Sequence, residues 1–366
     1  MERTKKSIKL LINHLSRRAP ARVAQRIIKN SGIKTGRSIE DTLDYVDAIK
    51  PESINKIHNR LKANIEDFHL FGPKVVRILN VTEDGQDEVR NFFESLNIDD
   101  TSIESTSFPK PLGPKQLEAV KLSSPNLIRK YQSPTGTLYL FSYKSVVSLR
   151  EIYTGKEVDY FGDKASSFDK IIAIKEKNIQ FFNSIFVTAD YKRIELRIDL
   201  AEQMGITILR EVMDTFEGKL NSRFFDIYKK PIPYARINLF PIIQKIYDES
   251  EDGYIFDLSF QCPTGANRNE NLSGYKKELN IKDLRKEEYH VAGTQKIGNV
   301  FIPYKVGVYW DPENTDGEVS GEPELILSGT LLMAKSNASI LDCAIISNTV
   351  NEKDFNYVVT AMNDYV

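Results

Sequence analysis

The sequence predicts an α+β fold, with a helical N-terminal region followed by a mixed α/β segment and a largely antiparallel β-sheet with a C-terminal helix. Three observations lead there. The first hundred residues repeat apolar side chains at helical spacing. The chain after about residue 116 alternates them at the period of a strand. Thr349-Val350-Asn351-Glu352 reads as a capping box that opens a last helix. Helices first and mixed β/α texture afterwards is the order of an α+β chain rather than of repeating βαβ units.

In the helical region, Ile8, Leu11, Ile12 and Leu15 fall on one helix face. Pro20 interrupts, and Val23, Ala24, Ile27 and Ile28 form a second stripe that stops at Asn30-Ser31-Gly32. Ser38, with Asp41 three residues on, opens a third helix whose apolar side holds Leu43 and Val46. A fourth runs from Ser53 to about Phe68 and ends at Gly72-Pro73. Residues 75–81 then suit a strand and 88–96 a helix. The acidic, serine-rich stretch 97–114, with its FPKPLGP segment, is the best linker.

Strands are expected over 137–149, 170–175, 179–187 and 193–200. In the last, Ile194, Leu196, Ile198 and Leu200 alternate with Arg193, Glu195, Arg197 and Asp199, the pattern of a half-buried strand with a charged outer face, although Ile194, Ile198 and Ala201 also suit one face of a helix. Helices near 206–217 and 239–249 follow, then strands over 254–261, 300–310, 324–333 and 339–346. In the final helix Phe355, Val358, Val359 and Met362 face inward. A length of 366 residues suits two or three domains. The division is a basic-headed helical domain (1–100), a linker (101–115), a mixed β/α domain (116–235) and an antiparallel sheet domain with the C-terminal helix (236–366), the last two equally readable as one.

Charge is the sharpest feature. Fifty basic residues against 51 acidic give a net −1, but residues 1–37 hold eleven Lys/Arg and one acid, Glu2. A head of +10 precedes a body of −11. Helical geometry resolves the head into stripes: Arg22, Arg26 and Lys29 fall at i, i+4, i+7, and Lys6, Lys9 and Arg17 line the preceding helix beside Arg18. Such stripes suit phosphates, because each contact releases condensed counterions and arginine adds bidentate geometry. No base-reading motif accompanies them, so the expected form is sequence-independent contact with the backbone of DNA or RNA, or with a nucleic-acid-bound protein complex. Three readings compete: a helix face that is solvated or docked on the chain's own acidic surface, a nucleic-acid interface, and a membrane-surface, acidic-partner or presequence segment. For self-docking, residues 311–324 supply Asp311, Glu313, Asp316, Glu318, Glu322 and Glu324 without a Lys or Arg. Gly317, Gly321 and Pro323 equally fit a mobile solvent loop.

Catalytic motifs are absent. There is no Walker-type GxxxxGK[ST], no GxGxxG after a strand, no HExxH and no GxSxG. The four histidines, His14, His58, His69 and His290, have no metal-ligand spacing, and neither cofactor nor metal is expected. A carboxylate nuclease site needs no strict spacing, so Asp169, Glu176-Lys177, Glu195 and Asp199 remain candidates, ranked below a merely charged strand face. The loop Cys262–Arg268, through Thr264, Gly265, Asn267 and Arg268, has the chemistry to wrap an anion, although a polar turn explains it more simply. Apolar runs stop at about four residues, far short of the roughly 18 of a membrane span. Cys262 and Cys343, 81 residues apart and with no export signal, read as reduced thiols, and a cytoplasmic location is the default. The expectation is a non-catalytic nucleic-acid-binding accessory protein, a profile that suits DNA maintenance or antiviral defence on general grounds only. The alternatives are a protein-interaction subunit docking an acidic partner and a metal-dependent nuclease.

Overall fold

A computed structural model describes residues 2–120, 125–154, 157, 162, 167–200, 204–272, 281–336 and 340–366. Four helices lead the chain: α1 (Glu2–Arg18), α2 (Ala21–Asn30), α3 (Ile39–Asp47) and α4 (Pro51–Phe71). The predicted stripes form their shared core, where Ile8, Leu15, Val23 and Ile27 are buried against Leu61 and Ile65. Ser38 caps α3 in the expected capping box with Asp41, and Pro51 sits at the first position of α4, where its missing N–H costs nothing.

The remaining elements alternate between one sheet and its covering helices. In order they are β1 (Lys74–Val81), α5 (Gln86–Ser95), α6 (Ile103–Ser107), α7 (Pro114–Ala119), β2 (Asn126–Ser133), β3 (Gly136–Thr154), β4 (Lys170–Thr188), β5 (Arg193–Asp199), α8 (Ile206–Tyr228), β6 (Tyr234–Arg236), α9 (Ile242–Glu249), β7 (Tyr254–Gln261), β8 (Asn267–Asn271), α10 (Glu288–Lys296), β9 (Ile302–Tyr309), β10 (Glu324–Ser328), α11 (Leu331–Lys335), β11 (Ala344–Ser347) and α12 (Glu352–Asp364). The strands form an eleven-stranded antiparallel sheet in the order β2-β3-β4-β5-β1-β11-β10-β9-β7-β8, with β6 also on β1. The sheet draws its strands from residues 74 to 347, and β1, from the first hundred residues, lies at its centre. β5 pairs along one edge of β1, and β11 and then β6 pair along the other.

Each face of the sheet has its own core. One packs Val76 and Ile78 of β1 under α9 and α12, with Ile243 and Phe355 at its centre. The other packs Val75 and Leu79 under α5 and α8, with Phe92 and Phe216. Residues 97–114 also pack: Phe108 and Leu112 are buried, and the Leu112 N–H donates to Gln180 Oε1 at 2.8 Å. Beyond Ser142 and Ser184 the β3–β4 hairpin extends past both neighbouring strands, leaving Val146, Ile152, Ile172 and Ile174 exposed on one face.

Several local expectations change, and the strand expected over 339–346 begins only at Ala344. The strand expected over 324–333 stops at Ser328, and Thr330 accepts a hydrogen bond from the Met333 N–H to start the short α11. The last helix is capped by Asn351, which accepts from the Asp354 N–H. The box expected from Thr349 does not form, because the chain is still extended at Asn351.

The larger correction concerns β5. Its alternation is as expected, but the charged face is not solvated: Glu195 is 0% exposed, Arg197 2% and Asp199 4%. Glu195 is paired with Arg193 at 2.9 Å and Arg197 at 2.7 Å. Asp199 meets Arg18 of α1 and Lys74 of β1, the latter at 3.6 Å. The opposite face of the sheet repeats the device with Arg77, whose guanidinium contacts Glu217, Asp214 and Asp342. Burial alone raises the Asp199 carboxyl, but Lys74 and Arg18 outweigh it and hold it below the usual aspartate value. Burial conversely pushes the Lys74 ammonium down, with Asp199 opposing the shift. Removing one charge from such a cluster strands the others, which costs about 3–5 kcal/mol for a buried pair. Asp199→Asn is therefore expected to lower unfolding free energy by about that amount in urea titrations. A loss under about 1 kcal/mol would show that the cluster does not hold α1 to the sheet.

Candidate nucleic-acid interface

The cations of the head divide into two groups. Lys6, Arg17, Arg22 and Lys29 are exposed. Lys9 lies half-buried against Asp47 at 2.7 Å, and Lys5 donates to the Asp47 carbonyl. Arg18 and Arg26 turn inward. Arg18 donates to the Gln180 carbonyl at 2.9 Å and to Asp199, and its guanidinium lies over the Phe182 ring, 5.1 Å from the centroid. Arg26 donates to the Asn348 carbonyl at 3.0 Å and to Asp354 at 3.1 Å. These two arginines bind the head to its own body through Asp199 and Asp354, not through the acids of 311–324, and their guanidinium groups are already engaged.

The exposed α2 cations face a groove of about 520 Å³. Arg22, Gln25, Arg26 and Lys29 form one wall, and Pro312, Ser320, Gly321 and Glu322 form the other. The acidic stretch 311–324 thus abuts the head, as its charge suggested. It is no mobile solvent loop: Val319 is buried, the Ser320 N–H and hydroxyl both donate to Asp354, and Asn348 donates to the Glu322 carbonyl. A Cβ at Gly321 would fall on the Arg26 guanidinium, so only glycine permits this approach. Asp311 and Glu313 are already engaged by Lys282, both at 2.9 Å. Glu324 accepts from the Ser347 hydroxyl. Burial raises its carboxyl, and Ser347 and then Arg22 pull it back. Glu322 is left as the acid on the groove wall. Gln25, Ser320 and Asn348 gave no signal in the sequence, because three distant stretches supply them.

The other candidates do not assemble. Asp169 lies exposed at the far end of β4, whereas Glu195 is buried opposite Phe186. The 17 steps from Asp169 to Phe186 along an extended strand amount to roughly 55 Å, which separates Asp169 from Glu195 beyond any shared ion. Among the described residues no group of three or more His, Cys, Asp or Glu is placed to hold a metal. The 262–268 loop is the β7–β8 turn. Gly265 takes φ +85°, its N–H donates to the Cys262 carbonyl, and the Cys262 N–H donates to the Ala266 carbonyl, so two of its backbone donors are engaged in the turn. Thr264, Gly265, Asn267 and Arg268 are exposed there. Cys262 and Cys343 are buried free thiols, and burial raises Cys343 to about 12. No helix among the described residues is long and apolar enough to cross a membrane.

Beside Arg18 lies a buried histidine. The His69 ring lies tilted by 48° against Phe182 with the centroids 4.2 Å apart, and its Nε2 bonds the Pro109 carbonyl at 2.9 Å. Burial, and then the Arg18 guanidinium, push its imidazole down from 6.5 to about 3. The folded state thus refuses a proton that the unfolded chain accepts, and stability falls as pH drops below 6.5 and continues falling to about 3. The slope approaches about 1.4 kcal/mol per pH unit, or about 2 kcal/mol between pH 7 and pH 5. Asp199, with its carboxyl held below 3.8, contributes stability that is lost only under more acid conditions. Urea midpoints at pH 7 and pH 5 should therefore converge in His69→Gln relative to the parent. Equal pH dependence in both proteins would contradict a neutral His69.

No protein-family model matches the chain, and no curated protein or solved structure matches it either, so its function is argued from its own residues and their arrangement.

Proposed function

We propose that the protein binds the phosphate backbone of nucleic acid, without reading sequence, along the exposed faces of α1 and α2. The observation that carries this reading is the pair Arg22 and Lys29, exposed on one wall of an open groove on either side of Arg26, which Asp354 and Asn348 hold in place. Cations at i and i+7 of a rigid helix stand about 10 Å apart along its axis, at about 1.5 Å of rise per residue, a spacing that spans neighbouring phosphates rather than a single anion. Lys6 and Arg17 extend the basic surface along α1. Glu322, on the opposite wall, opposes an incoming phosphate and sets a threshold for binding. The role is that of an accessory protein that engages nucleic acid without transforming it.

Anisotropy titrations with a short mixed-sequence DNA duplex and a single-stranded RNA test this. Arg22→Gln with Lys29→Gln is expected to weaken binding equally across sequences and to reduce the salt slope by about 2, at about 0.9 per lost phosphate contact. Glu322→Gln is expected to tighten binding by about twofold to fivefold, the range of an exposed charge pair. Absence of binding at low salt, or an unchanged slope in the double variant, overturns the proposal. If polyglutamate binds where nucleic acid does not, the acidic-partner reading replaces it.

A further inference from the structure

The outer edge of β4 is closed by β5 only over residues 184–187. Next along the strand, side chains close it: Asp199 accepts from the Phe182 N–H at 3.2 Å, and Arg18 donates to the Gln180 carbonyl at 2.9 Å. Backbone groups of the even-numbered residues therefore face this edge. From there to Lys170 the strand pairs with β3 on its other side without a register shift, so the phase is kept. It turns the N–H and C=O groups of Lys170, Ile172, Ile174 and Glu176 outward, and among the described residues no strand or side chain meets them. An open edge of this length is a template for another strand, and a two-stranded ribbon alone in water is only marginally stable.

The side chains along the edge complement themselves. Residues 170–176 read Lys-Ile-Ile-Ala-Ile-Lys-Glu. Laid antiparallel against its own copy about Ala173, the segment sets Lys170 opposite Glu176, Ile172 opposite Ile174 and Ala173 opposite Ala173. Two-fold symmetry makes the Lys–Glu and Ile–Ile pairs twice. The even-numbered residues share one face of the ribbon, and Ile152 of β3 stands on that face directly across from Ile172. Ile152, Ile172 and Ile174 are each more than half exposed. Sliding the copies by two residues in either direction sets Glu176 against Phe168 or Ile172, so charge selects the register centred on Ala173.

We infer that two copies of this chain join along the β4 edge, antiparallel about Ala173, and extend the ribbon into a four-stranded sheet in the order β3-β4-β4-β3. Three isoleucines from each copy then form one apolar row, bounded by the two Lys170–Glu176 pairs. The outward N–H and C=O groups of Ile172 and Ile174 find their partners across the axis. Seven residues from each copy make a small interface, so the dimer is a weak one that forms and parts readily. The β4 edge shares no residue with the α2 groove, so dimerisation and nucleic-acid binding are separate properties.

Sedimentation equilibrium of the full chain up to about 200 µM tests the dimer, with a Kd of about 1–100 µM expected. Lys170→Glu or Glu176→Lys alone sets like charges opposite each other and is expected to raise the Kd about tenfold. The two together restore opposite charges and are expected to return the Kd to within about twofold of the parent. Lys170 and Glu176 are exposed, so all three variants should keep the parent's urea midpoint. Ala173 occupies a non-hydrogen-bonded pair on the axis, where opposed Cα atoms stand about 4.5 Å apart, within reach of a disulfide. Ala173→Cys is therefore expected to yield a covalent dimer on mild oxidation. Lys170→Cys is not, because its copies lie about 20 Å apart, and the native Cys262 and Cys343 are buried. A monomer at about 200 µM overturns the proposal. So do single reversals that leave the Kd unchanged, a double reversal as weak as the singles, and cross-linking of Lys170→Cys as ready as that of Ala173→Cys.

Discussion

The carboxylate of Asp199, buried between Lys74 of the central strand and Arg18 of the first helix, is the contact on which the arrangement of the molecule depends. Strand β5 places three charged side chains on a face that helices cover, and each needs a partner within reach. Arg193 and Arg197 satisfy Glu195 from the same strand, whereas Asp199 draws its partners from elsewhere. The position of α1 follows from that need. Replacing buried ion pairs with apolar groups often leaves proteins as stable or more so, whereas removing one partner strands the charges that remain. A purely apolar contact would tolerate sliding of the helical region over the sheet. A guanidinium fixed by a carboxylate and a carbonyl does not.

The same requirement divides the basic head. Arg17 and Arg18 are adjacent and chemically identical, as are Arg22 and Arg26 on their common stripe. Arg18 and Arg26 hold the head down, and Arg17 and Arg22 stay outside. A charge count treats all four alike. Their separation depends on Asp199 and Asp354, 181 and 328 residues away, which no local pattern reveals. A basic segment can thus be divided between anchored and exposed cations by partners that lie far away in the chain.

The legible parts of the fold were those fixed by local repetition. The apolar stripes of α1 and α2, the Ser38 box and the alternation of β5 are properties of neighbouring residues, and the structure contains them. The boundaries of β7 fall where the pattern put them, at Tyr254 and Gln261. What was not legible depends on partners. The charged Glu176–Asn178 run looked like a break between two strands, yet β4 passes straight through it, because β3 pairs with it residue by residue. β2 went unnoticed because its LIRKYQS segment does not alternate cleanly, and its pairing contains a register shift at Leu127/Arg129. The solvated charges expected on β5 were wrong for a related reason: alternation shows that a strand has two unlike faces, but not that water covers the polar one.

The central position of β1 has a consequence for how the chain is made. Its eight residues, KVVRILNV, leave the ribosome early, but their partners follow in turn at residues 193–199, 234–236 and 344–346. At ordinary rates of synthesis the last of these arrives on the order of tens of seconds later. Through that interval a short, strongly β-forming segment waits with both edges unpaired, the kind of segment that stacks with its neighbours on a polysome. Lys74 and Arg77 interrupt it. In the finished molecule these two cations need buried counter-ions, but in the nascent chain they act as gatekeepers that keep the waiting strand apart from its copies. The ionic clusters at the middle of the sheet are then the folded-state counterpart of a protection that the chain needs before it folds.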